Sequence, residues 1–171
     1  HSQYADKVNS YLIEMYMKTR NYEADLQSIE RISQPARTIM EAKQHILFQL
    51  GNQSFVNSNF NKAVEYFNRS IALGEYNQNI KSEALYWRGE SYYRLDEMNK
   101  AASDYRSYLQ QTEQKSGDMY SLAYYNLGYI SFHQQKYDES LSYFMKFVGL
   151  KNDNKDALAD SYNRIGDCYF Y

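Results

Sequence analysis

Proline and cysteine are each present once in this 171-residue chain. A lone Cys168 excludes an internal disulfide and leaves the redox compartment open. With one proline, seven glycines and 43% apolar residues, the composition favours helix over strand. No window approaches the 18 or more apolar residues of a membrane helix, so direct membrane insertion is not expected. Charge of one sign is missing too, because 19 basic and 21 acidic side chains leave a net charge of −2. That balance offers no basic field for nucleic acid and no polybasic patch for anionic lipid. Chemistry has no foothold either. His45 and His133 lie far apart, no Cys-x2-Cys or His-x3-His spacing makes a metal site, and no G-x-S-x-G, P-loop or dinucleotide-type glycine cluster occurs. The expectation is a chain without cofactor or metal that is not an enzyme. His133 reads as a solvated helix residue, and Cys168 as a small buried hydrophobe rather than a nucleophile. Glu83 with Arg88 and Asp96 with Lys100 read as ordinary helix-surface pairs.

What is present is a period. Ile13, Gly51, Gly89, Gly128 and Gly166 follow one another at intervals of 38, 38, 39 and 38 residues. Glycine inside a helix costs about 1 kcal/mol relative to alanine, so four at a fixed interval predict a recurring close approach of backbones. Twelve residues after each mark stands Asp25, Ala63, Ala101 or Ser140, and four residues further Ile29, Phe67, Tyr105 or Phe144. Nine residues after each mark stands Tyr22, Phe60, Met98 or Tyr137. Three columns agree on one register, and internal periods of 20 to 50 residues signify stacked repeats.

These columns carry a resemblance to the tetratricopeptide repeat family. It rests on Leu47-x2-Leu50-Gly51 with Ala63-x3-Phe67, and on Tyr124-x2-Leu127-Gly128 with Ser140-x3-Phe144. Leu85-x2-Arg88-Gly89-x2-Tyr92 with Ala101-x3-Tyr105, and Tyr162-x2-Ile165-Gly166-x2-Tyr169, supply two more copies. A first copy around Leu12, Ile13 and Tyr16 lacks the glycine, and the family's closing proline is missing, since Pro35 lies between the first two copies. The resemblance implies an all-α fold, a right-handed α-solenoid of antiparallel helix pairs. The repeats are expected at about 6–41, 44–81, 82–120 and 121–158, with a first helix only at 159–171. Glu75 to Asn79, Gln111 to Gly117 and Lys151 to Asp156 have the polar content of connections. The last helix is expected to act as a cap, while Tyr169, Phe170 and Tyr171 are aromatic enough to suggest further repeats beyond. His1-Ser2 reads as a cloning remnant on a segment cut from a larger exported protein.

Within one copy, Leu85, Arg88, Gly89 and Tyr92 share a helical face, and Tyr86, Glu90 and Tyr93 share another roughly 120° away at ~100° per residue. The first face is expected to pack, with Gly89 approaching small Ala101, Tyr105 filling the adjacent space and the Arg88 stem lying along the core. Trp87 reads as structural. In the family, equivalents of the second face line a concave groove for a peptide. The resemblance therefore assigns Phe48, Asn52, Phe55, Tyr86, Glu90, Tyr93, Arg94, Tyr125, Tyr129, Phe132 and His133 to peptide binding. Aromatic rings suit recognition because they offer large, stiff, amphipathic contact area. With 20 tyrosines in the chain, the other reading is that these rings only pack or face water. A chaperone-tail carboxylate clamp is argued against, because Asn52 fits one clamp position but Phe48 and Trp87 stand where cations would be needed.

The function expected from this resemblance is a non-catalytic scaffold whose groove holds a segment of another protein. Two alternatives stand beside it: a sensory or regulatory peptide-binding arm of a larger signalling protein, and a periplasmic envelope-assembly factor. The last is suggested by the Ala84-Leu85-Tyr86-Trp87-Arg88-Gly89-Glu90 run, which resembles bacterial envelope repeat proteins and slightly favours periplasm or envelope over cytoplasm. Self-association through the repeat ends is a further expectation.

Overall fold

The computed structural model describes residues 21–151 and 153–171. The weak first copy around Leu12, Ile13 and Tyr16, and the His1-Ser2 remnant, lie outside them. Eight helices follow one another: α1 (Tyr22–Glu30), α2 (Arg37–Val56), α3 (Phe60–Ala72), α4 (Gln78–Arg94), α5 (Met98–Gln111), α6 (Asp118–His133), α7 (Tyr137–Gly149) and α8 (Lys155–Phe170). Among the described residues there is no strand, and the helices stack as antiparallel pairs into an all-α solenoid. The pairs are α2/α3, α4/α5 and α6/α7, with α1 against α2 and α8 against α7.

Asparagines start four of these helices. The side chains of Asn21, Asn59, Asn77 and Asn154 each accept a hydrogen bond from the backbone N–H three residues on, satisfying a donor that the first turn leaves without a helical partner. The tight turns within the pairs have a different device. Ser58, Asp96 and Gln135 adopt φ of 60°, 61° and 59°, the left-handed region that side-chain-bearing residues rarely occupy. At each, the following N–H reaches back five residues along the helix end: Asn59 N–H to Ser54 O at 2.8 Å, Glu97 N–H to Tyr92 O at 2.9 Å and Lys136 N–H to Ser131 O at 2.9 Å. A second bond joins the left-handed residue to the carbonyl three back, closing a Schellman motif. No glycine marks these positions, so the sequence columns do not reveal them.

The glycine marks do bring helices together, but their partner is the ring sixteen residues on. A Cβ on Gly51 would stand 2.4 Å from Cε1 of Phe67, and one on Gly128 would stand 2.9 Å from Cε1 of Phe144. At Gly89 the nearest atoms are Asp104 Cβ and the Tyr105 ring, all at 3.3 Å. The expected Gly89 to Ala101 approach is thus corrected: Ala101 is fully buried, while the glycine makes room for Tyr105. Gly166 has nothing within 4 Å, because among the described residues no later helix packs on that face of α8. Tyr162, Tyr169, Phe170 and Tyr171 are exposed there and just beyond.

The core follows the stack. Leu26, Ile29, Ile39, Ile46, Leu47 and Leu50 form one buried group. Phe48, Ala63, Phe67 and Ala84 form a second, and a third spans α4 to α6 around Leu85, Tyr105 and Leu127. Ile71 and Trp87 pack against both the second and the third, which gives Trp87 a structural role. The ion pairs are differently drawn than a helix surface suggests. Arg88 does not pair with Glu83 but grips Asp104 bidentately, Nε to Oδ2 and Nη2 to Oδ1 both at 2.7 Å, while Nη1 donates to Asn68 Oδ1 at 2.8 Å. Lys100 meets Glu97 at 3.2 Å rather than Asp96.

Candidate functional site

The first helices of successive pairs, α2, α4, α6 and α8, lie side by side and carry the residues assigned to a groove. Phe48 and Tyr86 are at odds with that assignment, because both are buried, at 6% and 3% exposure. The Phe48 ring centroid lies 6.1 Å from that of Phe67, and Tyr86 is boxed in by Trp87, Tyr105 and Tyr108 at 5.3–5.9 Å. Asn52, Phe55, Glu90, Tyr93, Tyr125, Tyr129 and Phe132 are partly exposed, and Arg94 and His133 are exposed. Phe55 leans edge-on against Phe60 and Trp87, under the Arg94 guanidinium, which stands 5.9 Å above both phenylalanine rings. Phe132 meets Tyr137 at 5.5 Å and is covered by Arg164, also at 5.5 Å. His133 stands 6.4 Å from Tyr129.

Two carboxylates organise the middle of this surface, and only one of them was singled out from the sequence. Glu90 Oε1 accepts from the Tyr105 hydroxyl at 2.8 Å and from Asn126 Nδ2 at 2.6 Å, and Asn126 also reaches the Tyr105 oxygen at 3.1 Å. Asp160 Oδ2 accepts from the Tyr125 hydroxyl at 2.9 Å and from the Tyr129 hydroxyl. Tyr125 and Tyr129 themselves pack edge to face at 5.1 Å and lean on Phe144. Burial pushes the Tyr125 and Tyr129 phenols up, reinforced by their bonds to Asp160. Burial raises Tyr93 as well, with the Glu90 charge adding to it. Tyr105 and Tyr86 are raised by burial and then by Glu90. These phenols therefore stay neutral, and those of Tyr105, Tyr125 and Tyr129 donate.

Asp160 escaped the sequence reading because it precedes Gly166 by six residues, in a copy with little else to align it. Its partners are 31 and 35 residues away, a contact set by how neighbouring pairs rotate. Along the N-terminal ends of the same helices run two cavities. One of about 420 Å³ is lined in part by Ser82, Glu83, Tyr108, Glu113 and Asp118, and one of about 300 Å³ by Asp118, Leu122, Phe147 and Asp153 among others. Burial raises the Glu83 carboxyl.

Cys168 is buried, its thiol 3.5 Å from Ser140 Oγ. Among the described residues no group of three or more His, Cys, Asp or Glu side chains could hold a metal ion, and no helix is long and apolar enough to cross a membrane.

Comparison with known proteins agrees with the stacked pairs. Family models described as tetratricopeptide repeat match residues 48–118 and 122–154. The response regulator aspartate phosphatase E of Bacillus subtilis (strain 168) is 29% identical over 104 residues. That match takes in 58% of this chain and 28% of the relative, so the chain corresponds to little more than a quarter of the relative's length. Among solved structures, the apo form of RapI superposes with a TM-score of 0.70 at 18% identity, over 96% of this chain and 50% of that one. The OM64 TPR domain of Arabidopsis gives 0.62 at 19% identity, over 75% and 98%. At such identities the likeness is one of fold. Proteins with these repeats generally bind other proteins or peptides and are generally non-catalytic. The glycine marks with their rings sixteen residues on, the antiparallel pairs they join and the two matching family models lead to one conclusion: the chain belongs to the tetratricopeptide repeat family.

Proposed function

We propose that this chain is a non-catalytic scaffold that holds a peptide segment of a partner protein against the faces of α2, α4, α6 and α8. The observation that carries the reading is the run of partly exposed aromatic and polar side chains from Asn52 and Phe55 through Tyr93 to Tyr129 and His133, on helices that pack side by side. Rigid rings give contact area at little entropic cost. Most of these rings are already fixed by neighbours, Phe55 by Phe60 and Trp87, Tyr125 and Tyr129 by Phe144, so less ordering is left to offset on binding. Phe48 and Tyr86 support the wall from behind rather than touch the segment.

Panning a displayed random-peptide library on the chain tests this. Recovered peptides should lose most of their affinity to Asn52→Ala, Tyr93→Ala and His133→Ala, and keep it with Asp138→Asn or Glu65→Gln on the second helices. Peptides indifferent to the first three changes would place recognition elsewhere.

A second reading rests on the match to a response regulator aspartate phosphatase over little more than a quarter of its length. Under it, the same surface is the peptide-binding arm of a longer signalling protein, and bound peptide alters the stack so that an attached module responds. Reading the parent open reading frame for such a module decides between the two.

A further inference from the structure

The groove's two central carboxylates take their hydrogen bonds from neutral groups. Glu90 takes hydrogen bonds from a phenol and an amide, and Asp160 from two phenols. Among the described residues no lysine or arginine lies within ion-pairing distance of Glu90, and the one cation near Asp160, Arg164, is 3.9 Å from Oδ1. Arg164 is engaged more closely by Asp167, at 2.8 Å. Both carboxylates are partly withdrawn from water, a position in which an anion without a counter-charge is costly; Glu90 is in that position, and Asp160 has only the distant Arg164.

Helix dipoles do not explain Glu90. It stands four residues before the end of α4, where the carbonyl-rich terminus disfavours a negative charge. Asp118, Asp153 and half-buried Glu83 line the cavities at the N-terminal ends of these helices and carry the same sign. The cations on this face are already engaged, Arg94 over Phe55 and Phe60 and Arg164 over Phe132 and against Asp167. The chain as a whole is only slightly acidic, at −2.

We propose that the segment held in the groove is cationic, setting one lysine or arginine against Glu90 and another against Asp160, with the rings of Tyr93, Tyr125 and Tyr129 flanking the two cations. The proposal rests on the groove reading above and names the partner's chemistry. Carboxylates fixed by phenol donors are preorganised acceptors for charge-assisted hydrogen bonds. Phenol rings beside them add attraction for a cation above their faces.

The test uses the chain as it stands and fluorescent probe peptides built on one alanine-leucine frame, carrying arginine, glutamine or glutamate at regular positions, read by anisotropy beside the library peptides. The arginine probe should bind and the glutamate probe should not, with affinity falling as salt rises. Glu90→Gln and Asp160→Asn, made singly, keep an oxygen acceptor for the tyrosines and should each weaken the arginine probe about tenfold. Library peptides that depend on Tyr93 should be rich in lysine or arginine. If Tyr93-dependent peptides bind without such enrichment and are indifferent to both changes, the cation inference is overturned while the groove stands. If no probe or library peptide depends on Tyr93, the groove reading and this inference fall together.

Discussion

The ring of Phe67 occupies the place of the side chain that Gly51 lacks: a Cβ there would lie within 2.4–2.9 Å of three of its ring atoms. Phe67 is fully buried and cannot swing away cheaply. Gly51→Ala should therefore cost about 1–3 kcal/mol by overpacking, despite alanine's better helix propensity. Gly128→Ala, facing Phe144 at 2.9–3.0 Å, should behave alike. Gly89→Ala, at 3.3 Å, should cost less. Gly166→Ala, with open space around it, should be neutral or stabilise by about 0.5–1 kcal/mol through propensity. Urea melts of the four variants give the order directly, and equal costs at all four positions would refute the steric account.

The three left-handed turn residues invite the opposite change. Replacing Gln135 by glycine removes the clash of its Cβ in that conformation and should stabilise by about 0.5–1 kcal/mol net of glycine's entropy. Asp96→Gly should gain less, since aspartate tolerates the left-handed region better. Thermal melting checks both, and destabilisation by Gln135→Gly would mean the side chain has a role its turn geometry hides.

Arg88 and Asp104 form a bidentate pair with side-chain exposures of 20% and 7%. Asp104→Ala should cost about 3 kcal/mol, mostly because it leaves the guanidinium unpaired in a poorly hydrated place. Arg88→Met with Asp104→Leu should recover most of that loss. A double-mutant cycle by urea denaturation measures the coupling, and additive effects would show that the pair is not acting as a unit.

Alkali should unfold this protein early. Burial, then a hydroxyl contact from Tyr120, pushes the Tyr124 phenol up to about 12, from an ordinary value of 10.0, and Tyr93, Tyr105, Tyr125 and Tyr129 are raised as well. A raised phenol binds its proton more tightly in the folded state. Its stabilising contribution is therefore complete below pH 10 and is lost as pH climbs through the folded value. Melting temperature should fall steadily above pH 10, with phenolate absorbance lagging behind that of the urea-unfolded chain. Coincident titration of folded and unfolded chains would contradict the burial of these hydroxyls.

The helical pairs were legible in the sequence because their cause is local and repeated: a glycine, a small residue and a large ring at fixed offsets mark two helices that touch. Features that depend on how one pair turns against the next were not. Phe48 and Tyr86 have the wheel positions of groove residues, yet the rings of Phe67 in the paired helix and of Tyr105 and Tyr108 in α5 close over them. Arg88 finds Asp104 across a helix pair, sixteen residues away, where a surface-pair rule looks only one turn along. The Tyr125 and Tyr129 bonds to Asp160 span a whole copy. The left-handed turns were hidden because serine, aspartate and glutamine stand where glycine is the usual signal.

Three apolar reservoirs, the second and third joined through Ile71 and Trp87, hold the molecule in place of one central mass. Each draws only on adjacent pairs, so damage at one end has little material means of reaching the other. The stack is in that sense modular, with a length that whole copies can extend or shorten without redrawing the rest.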